Sequence, residues 1–255
     1  MYKKIIILCF VVCFLLFNTN MVNVMCIDEG KHLKVIDDKV IYLTFDDGPS
    51  PNTNKILDIL NKNNVKASFF VIGNQVEVHK DIVRRLEMDG MCILPHTNCH
   101  NYMKIYNTAD DYFVDLNSCI VKIKDVILKE PVNFIRFPGG VNNELLREDV
   151  LNEIKDRFLD NKYYFVEWNV YGLDAERIPK SSDTIYNSTI NQLNKKSKAI
   201  VLLHDGYGNT NTIDSLERII LYAKQLGYKF MTLDNISEKD FDYFIKKSVI
   251  NKGVR

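Results

Sequence analysis

Seven short apolar runs alternate with amphipathic stretches from Val40 onward, and this alternation constrains the fold more than any other feature of the sequence. Short runs rich in β-branched and aromatic side chains are typical of buried strands. Between them, residues such as Phe113, Leu116 and Ile120 recur every three or four positions, which places them on one helical face. Strands that alternate with helices in this way predict parallel β/α units. The predicted strands are 40–45, 67–72, 91–94, 134–137, 163–168, 199–203 and 229–233.

Composition and charge exclude several classes of protein. The 255 residues carry 33 Lys and Arg against 33 Asp and Glu, so no global field favours binding to nucleic acid. With 46% apolar and 26% charged residues, the chain has the composition of a globular protein and is long enough for one sizeable core. We assign that domain to residues 40–235. Residues 236–255, which have a weak helical pattern and a basic end, are expected to form a peripheral tail.

The N-terminal segment has the pattern of an export signal. Lys3 and Lys4 precede an uninterrupted apolar stretch, 5–17, which is short for a membrane span of about 20 residues and typical of a signal-peptide core. Because no small-x-small cleavage site follows, residues 1–26 are interpreted as either a signal peptide or an uncleaved membrane anchor. Residues 27–39 are polar and charged and are predicted to be a linker. In both cases the globular domain is expected to work outside the cytoplasm.

Two adjacent carboxylates, Asp46 and Asp47, follow the first apolar run. Gly48 and Pro49 stop the predicted strand and turn the chain toward a helix, so both acids lie where barrels and open α/β sheets keep their active sites. Paired acids repel each other unless a cation or a proton relieves the repulsion. A solvated Asp-Asp-Gly turn is the alternative when these residues are considered alone.

Two histidines, His96 and His100, follow the third apolar run. At positions i and i+4 they would share one face of a helical turn, and this spacing lets both imidazoles bind one metal ion. One carboxylate and two imidazoles leave positions open for water and substrate, which is typical of a catalytic rather than a structural metal site.

Arg136 and His204 come at the ends of the fourth and sixth runs. A strand-end arginine can pair with a carboxylate and keep it ionised, and a salt bridge at the rim is the alternative interpretation. A strand-end histidine can protonate a leaving amine, and a core histidine with satisfied hydrogen bonds is the alternative.

Four ordered motifs resemble those of one known family. They are Thr44-Phe45-Asp46-Asp47-Gly48-Pro49, His96-Thr97-x-x-His100, Arg136-x-Pro138 and Leu202-Leu203-His204. In order and spacing they are similar to the motifs of the polysaccharide deacetylase family (carbohydrate esterase family 4), whose core is the NodB homology domain. The resemblance spans residues 40–233. It implies an α/β fold, a distorted (β/α)7 barrel, and metal-dependent removal of acetyl groups from N-acetylated sugars.

The resemblance also implies a role for each matching residue. Asp46 corresponds to the general base, and Arg136 to the residue that holds this base in place. His204 corresponds to the general acid, which Asp174 would orient. The metal ligands that the resemblance implies are Asp47, His96 and His100. The metal in this family is usually zinc (Zn2+), although other divalent ions also serve.

The sequence departs from the family pattern after the fifth run. The family has approximately Asp-x-x-Asp-Trp there, whereas this chain keeps only the second acid, Asp174. Tyr171 takes the place of the first acid, and Ala175 takes the place of the tryptophan. Pro95 stands where the family commonly has Asn, and Cys99 where it often has Ser. The missing indole removes one wall of the expected substrate groove, which bears on substrate preference.

Together these features predict an exported or membrane-anchored hydrolase that removes N-acetyl groups from cell-wall glycan, with N-acetylglucosamine of peptidoglycan as the leading expectation. Chitin oligomers, N-acetylmuramic acid and acetyl-xylan remain alternative substrates within the family. A catalytically inactive carbohydrate-binding relative is the alternative from another class, and only the altered fourth motif favours it. A metalloprotease is not indicated, because the histidine pair lacks the glutamate of His-Glu-x-x-His. The expected partners are the glycan and, through the N-terminal segment, the membrane; no nucleic acid and no protein partner is implied.

Overall fold

The computed structural model of this chain describes residues 38–253. The predicted export segment, 1–26, and all but the end of the predicted linker, 27–39, lie outside the described residues. Within 38–253, none of the helices combines the length and the apolar character that crossing a membrane requires.

Helices and strands alternate along the described part of the chain, as the periodicity predicts. The strands are β1 (Val40–Asp46), β2 (Ser68–Val71), β3 (Cys92–Pro95), β4 (Phe134–Ile135), β5 (Tyr164–Phe165), β6 (Val170–Tyr171), β7 (Lys198–His204) and β8 (Lys229–Met231). The helices are α1 (Pro51–Lys62), α2 (Gly73–Val78), α3 (Lys80–Met88), α4 (Tyr102–Ile105), α5 (Ala109–Lys124), α6 (Glu148–Asp160), α7 (Ser182–Leu193), α8 (Thr210–Gln225) and α9 (Glu238–Lys246). The sequence did not predict β6, because a strand of two residues has no periodicity of its own to detect.

The strands form a parallel sheet in the order β3-β2-β1-β7-β6, and β4 pairs with β5 in a separate two-stranded ladder. β1 is the central strand, since it pairs with β7 along its whole length and with β2 and β8 on its other edge. The predicted α/β class and distorted barrel are confirmed. The distortion lies at β4 and β5, which form a ladder of their own instead of continuing the main one.

β1 is buried along its whole length because both of its faces are covered. Ile41, Leu43 and Phe45 pack into the layer between the sheet and its helices. Val40 and Tyr42 point the other way, into a second apolar cluster inside the curved sheet. A strand covered on both faces needs a nearly continuous apolar sequence, which explains why this run has no polar alternation.

The C-terminal segment differs from the peripheral tail that the sequence suggested. Phe244 in α9 and Ile250 beyond it are fully buried in the inner cluster. Asp240 accepts a hydrogen bond of 2.8 Å from the Tyr42 hydroxyl and pairs with the buried ammonium of Lys198. The weak apolar pattern of this segment was misleading, because two large side chains and one ion pair suffice to dock a short helix.

We expect the Asp240→Asn variant to lose about 3–5 kcal/mol of unfolding free energy at neutral pH, because the buried ammonium of Lys198 loses the carboxylate that faces it. Burial alone raises the pKa of Asp240, but hydrogen bonds from Lys198 and Tyr42 outweigh burial and lower it. A group with a depressed folded-state pKa stabilises the fold above its ordinary pKa, which is about 4 for Asp, and this contribution is lost as the pH falls through the folded-state pKa.

The difference between wild type and Asp240→Asn should therefore be complete at neutral pH and should shrink below about pH 4. Urea unfolding across this range measures it, with Asp242→Asn as the matched control because Asp242 is exposed on the same helix. A difference that stays constant into strong acid would contradict the assignment.

Candidate active site

The register of β1 and β7 sets the position of the first two site residues. Asp46 lies directly opposite His204 at the carboxyl ends of these parallel strands. The Asp205 N–H donates to the Asp46 carbonyl at 3.0 Å, which extends the pairing one step past the strand ends. The next residue, Asp47, leaves the sheet with a φ of 76°, so the two neighbouring carboxylates do not diverge to opposite faces as strand residues would.

His96 and His100 lie in an irregular loop after β3, so the prediction of a helical turn is wrong. Thr97 and His100 adopt the left-handed conformation, with φ of 64° and 53°. Backbone bonds from α2 hold the loop, including a 3.0 Å bond from the Gly73 N–H to the Thr97 carbonyl. The tertiary contacts, and not the i,i+4 spacing, bring the two imidazoles together, with ring centroids 5.1 Å apart.

Both imidazoles face one carboxylate oxygen. Asp47 Oδ1 lies 3.5 Å from His96 Nε2 and 3.2 Å from His100 Nε2. One ligand atom from each of the three residues lies within 4.8 Å of the other two. Among the described residues, the buried Asp47 Oδ1 has no hydrogen-bond partner. An orphaned carboxylate oxygen between two imidazole nitrogens fits a divalent cation, and this donor set suits zinc.

The hydrogen bond and the burial of His96 favour the form of imidazole that binds a metal. Its Nδ1–H donates to the Arg136 carbonyl at 3.0 Å, which directs the Nε2 lone pair toward Asp47. Burial, followed by the charges of His100 and Arg136, holds the pKa of His96 well below its ordinary value. A neutral imidazole with a fixed tautomer is the form that binds a metal.

Asp46 is held by Arg136, which is almost completely buried. The guanidinium Nη1 donates to Asp46 Oδ1 at 2.8 Å and to the Thr44 hydroxyl at 2.8 Å. Asp46 Oδ2 does not take part in this pair and lies 3.7 Å from His96 Nε2. Burial raises the pKa of Asp46, and the positive charge of Arg136 opposes that rise. The carboxylate therefore has one anchored oxygen and one oxygen directed at the proposed metal site.

His204 faces the same site and is oriented by Asp174. Its Nδ1–H donates to Asp174 Oδ1 at 2.9 Å, and its backbone N–H donates to Oδ2 at 2.7 Å. The Thr212 hydroxyl also donates to Oδ2 at 2.7 Å, which fixes the carboxylate in turn. Burial by itself lowers the pKa of His204, but the hydrogen bond and charge of Asp174 outweigh burial and raise it to about 9.

The seven residues named from the sequence motifs therefore lie together at the carboxyl end of the sheet. They are Asp46, Asp47, His96, His100, Arg136, Asp174 and His204.

Sequence reasoning missed Asp205, which supports the Asp46-Asp47 turn. Its buried carboxylate accepts a hydrogen bond from the Thr53 hydroxyl, and its carbonyl accepts one from Ser50, the N-cap of α1. A Cβ on Gly48 would lie 2.1 Å from Asp205 Oδ2, so this close approach requires glycine. Burial raises the pKa of Asp205 to about 7. Its place directly after His204 was the available signal, but a sequence does not show which way a loop carboxylate points.

Aromatic rings flank the site on two sides. Tyr171, which replaces an acid of the family motif, lies with its ring 6.5 Å from that of His204 and 6.2 Å from that of Trp168. Ala175 is exposed, and its methyl group does not replace the wall of the substrate groove that a tryptophan would form. Next to the histidine pair, the Tyr102 ring lies 5.3 Å from that of His100. Burial, followed by the charges of Asp47 and Asp46, raises the pKa of Tyr102.

Comparison with known proteins gives consistent matches. The sequence profile of the family described as polysaccharide deacetylase matches residues 34–154. A peptidoglycan-N-acetylglucosamine deacetylase of Bacillus cereus is 32% identical over 203 residues, which cover 78% of this chain and 89% of that protein. A chitooligosaccharide deacetylase of Rhizobium leguminosarum bv. trifolii is 32% identical over 173 residues, covering 67% of this chain and 73% of that protein.

A solved structure is also similar. The catalytic domain of the peptidoglycan N-acetylglucosamine deacetylase from Eubacterium rectale ATCC 33656 matches with a TM-score of 0.73 and 28% identity. The match covers 83% of this chain and 92% of that domain. Sequence and structure thus point to the same group of proteins.

We expect the full chain to bind one zinc ion at this candidate site. Asp47→Asn or His96→Ala should weaken this binding at least about 100-fold, because each removes a proposed ligand, and loss of contacts that only support a ligand already costs about 10–100-fold. Titration against a competing chelator measures the affinity. His79→Ala is the control, since His79 contacts Tyr207 outside the cluster and should bind zinc like wild type. Unchanged affinity in both ligand variants would place the metal elsewhere.

Proposed function

Because this chain belongs to the polysaccharide deacetylase family, we propose that it is a metal-dependent hydrolase that removes N-acetyl groups from cell-wall glycan, with N-acetylglucosamine of peptidoglycan as its substrate. The observation that carries this proposal is the convergence of an anchored carboxylate, a triad that fits a metal ion and a histidine paired with a carboxylate at one end of the sheet. The anchored carboxylate is Asp46, and the histidine is His204.

Asp47, His96 and His100 are the residues that would hold the metal, which we propose to be zinc. When bound there, a divalent cation polarises the acetyl carbonyl and makes a neighbouring water more acidic. Three protein ligands leave room for both.

Asp46 is the proposed general base. Arg136 occupies its Oδ1, so Oδ2 is the atom that accepts a proton from the attacking water. The hydrogen bonds of Arg136 to Thr44 and to the Val166 carbonyl fix the guanidinium, and thus the carboxylate, before substrate arrives. A base that is positioned in advance does not lose ordering entropy during the reaction.

His204 is the proposed general acid. Asp174 accepts a hydrogen bond from Nδ1–H, which leaves Nε2–H free to give its proton to the departing sugar amine. A pKa raised to about 9 keeps this histidine protonated at neutral pH. Asp46 and His204 lie on neighbouring strands but have different partners. The arginine beside Asp46 favours its ionised form, which is a base, and the carboxylate beside His204 favours its protonated form, which is an acid.

A backbone amide in the turn after β4 is the proposed stabiliser of the developing oxyanion. The Gly140 N–H donates to the Phe137 carbonyl, and the Val141 N–H donates to the Glu167 carboxylate. The Gly139 N–H makes no hydrogen bond within residues 38–253. Gly139 has a φ of 73° and lies beyond the end of β4, outside the strand ladder. A free backbone donor at the site is suited to negative charge on the acetyl oxygen.

The choice of peptidoglycan rests on two supports. Relatives that match most of this chain carry the name of peptidoglycan deacetylases, and the sequence begins with an apolar export-type segment. We therefore propose that the domain works outside the cytoplasm, secreted or anchored by its N-terminal segment. N-acetylmuramic acid, chitin oligomers and acetyl-xylan are the alternative substrates. The feature that bears on this choice is the small, exposed Ala175 in place of a tryptophan at the wall of the substrate groove.

We expect the zinc-loaded full chain to release acetate from peptidoglycan, and release should disappear in Asp46→Asn and in a chelated sample. Chitin oligomers and acetyl-xylan, tested in parallel, rank the substrates. Asp242→Asn is a suitable control, because Asp242 is an exposed residue of α9 and none of the proposed site residues lies on that helix. Absence of release from all three glycans by the metal-loaded protein would overturn the proposal in favour of a binding-only role.

The pH dependence of kcat tests whether His204 is the general acid. The raised pKa of His204 means that its protonated form is present below about pH 9 and is lost above it. Without the Asp174 carboxylate this pKa falls, so Asp174→Asn should move the alkaline limb of kcat to lower pH by one unit or more and lower kcat about 10²–10⁴-fold. Asp183→Asn, at a surface ion pair, is the control. An alkaline limb in the same place in both variants would contradict the assignment.

A further inference from the structure

Tyr102 adjoins the metal-binding triad, and neither the motifs nor the proposed chemistry uses it. It is the first residue of α4, two positions after His100, and its ring is half-buried. The ring packs between those of His100 and Tyr106, at centroid distances of 5.3 Å and 6.0 Å. This packing fixes the direction of the phenol, so its hydroxyl has a defined place.

The hydroxyl of Tyr102 lies beside the turn after β4. A Cβ built on Gly139 would come within 3.2 Å of Tyr102 Oη. Gly139 is the residue whose N–H makes no hydrogen bond within the described residues, and Tyr102 Oη likewise makes none there. The neighbouring Tyr106 differs, because its hydroxyl donates to the Pro138 carbonyl at 2.7 Å. Two uncommitted donors thus lie next to each other.

The position of these donors relative to the metal ligands determines what they can bind. His100 is on one side of the Tyr102 ring, and Gly139 is at its hydroxyl end. An acceptor that reaches the metal triad while accepting from the Gly139 N–H therefore comes within reach of Tyr102 Oη. An acetyl carbonyl oxygen is such an acceptor, and it becomes a better one as negative charge develops on it.

We infer that Tyr102 is a further catalytic residue, whose hydroxyl donates a hydrogen bond to the acetyl carbonyl oxygen during hydrolysis. This inference rests on the proposed deacetylase function. The phenol keeps its proton throughout, since its role is to stabilise charge and not to transfer a proton. A phenol has an ordinary pKa of about 10 and is a donor at neutral pH. Because the bond strengthens as charge builds up, it contributes mainly to kcat.

The rings of Tyr102, Tyr106 and Tyr112 stack in one row, and this row supplies a matched control. Tyr112 lies farther along the same row, stacked on Tyr106 and Phe137. Its buried hydroxyl also has no hydrogen-bond partner among the described residues, but its ring does not contact the triad. Tyr112→Phe and Tyr102→Phe therefore remove the same atom from two rings of one row, and only the second removal is expected to affect catalysis.

The test measures kcat, KM, zinc affinity and Tm for the full-length zinc-loaded variants. Tyr102→Phe should lower kcat about 10–100-fold, which is the usual loss for one hydrogen bond to a charged group, with KM, zinc affinity and Tm unchanged. Tyr112→Phe should match wild type in all four. A Tyr102→Phe variant with wild-type kcat would overturn the inference, and so would equal losses in both variants. If kcat falls in Tyr102→Ala but not in Tyr102→Phe, stacking of the ring, and not the hydroxyl, accounts for the contribution of Tyr102, and the inference fails.

A second arm separates this inference from the proposed function. Acetate, the expected product, presents a charged oxygen to the same donors, and its binding to zinc-loaded protein can be titrated without turnover. Tyr102→Phe should bind acetate about tenfold more weakly than wild type and Tyr112→Phe equally well. If wild type releases acetate and both variants bind acetate equally, only the Tyr102 inference fails. If wild type releases none from any glycan, the proposed function fails, and the titration alone decides whether Tyr102 is a donor.

Discussion

The buried guanidinium of Arg136 is the interaction on which the rest of the site depends. It donates to Asp46 and Thr44 at the end of β1 and to the Val166 carbonyl just after β5, while its own carbonyl accepts from His96 after β3. One residue thereby joins the main sheet to the separate β4–β5 ladder. Its charge is costly to bury unless it is paired, and the Asp46 carboxylate provides that pairing. The strand ends therefore converge where Asp46, the proposed general base, is fixed.

Backbone conformation at the site is unusual for the same reason. Asp47, Thr97 and His100 are non-glycine residues with positive φ, a conformation that costs energy unless surrounding contacts fix it. Those contacts are present: α2 holds the Thr97 carbonyl through Gly73, and Asp205 supports the turn after Asp47. The protein uses tertiary hydrogen bonds to hold the side chains of the proposed metal ligands in directions that a regular helix or strand would not give them.

Much of this arrangement was predictable from sequence. Apolar runs that alternate with helical patterns indicate parallel β/α units, and parallel strands place their carboxyl ends on one face. Residues that directly follow such runs, including Asp46, His96 and His204, were therefore expected to meet. Two features that the sequence did not predict share one cause. The two-residue β6 and the docking of α9 through Phe244 depend on contacts with distant parts of the chain, which leave no local pattern.

The sequence by itself determined the fold class, because strand periodicity is a local property. Its motifs also singled out the seven converging residues, and for Asp174 the resemblance to the polysaccharide deacetylase family was the only signal. Tertiary structure decided how those residues act. It put His96 and His100 in a strained loop instead of a helix, buried Asp205 beneath the Asp46-Asp47 turn, and directed the Tyr102 hydroxyl at Gly139. Each of these depends on which side chain a distant segment presents. Side-chain direction in a loop follows from packing, and packing exists only once the chain has folded.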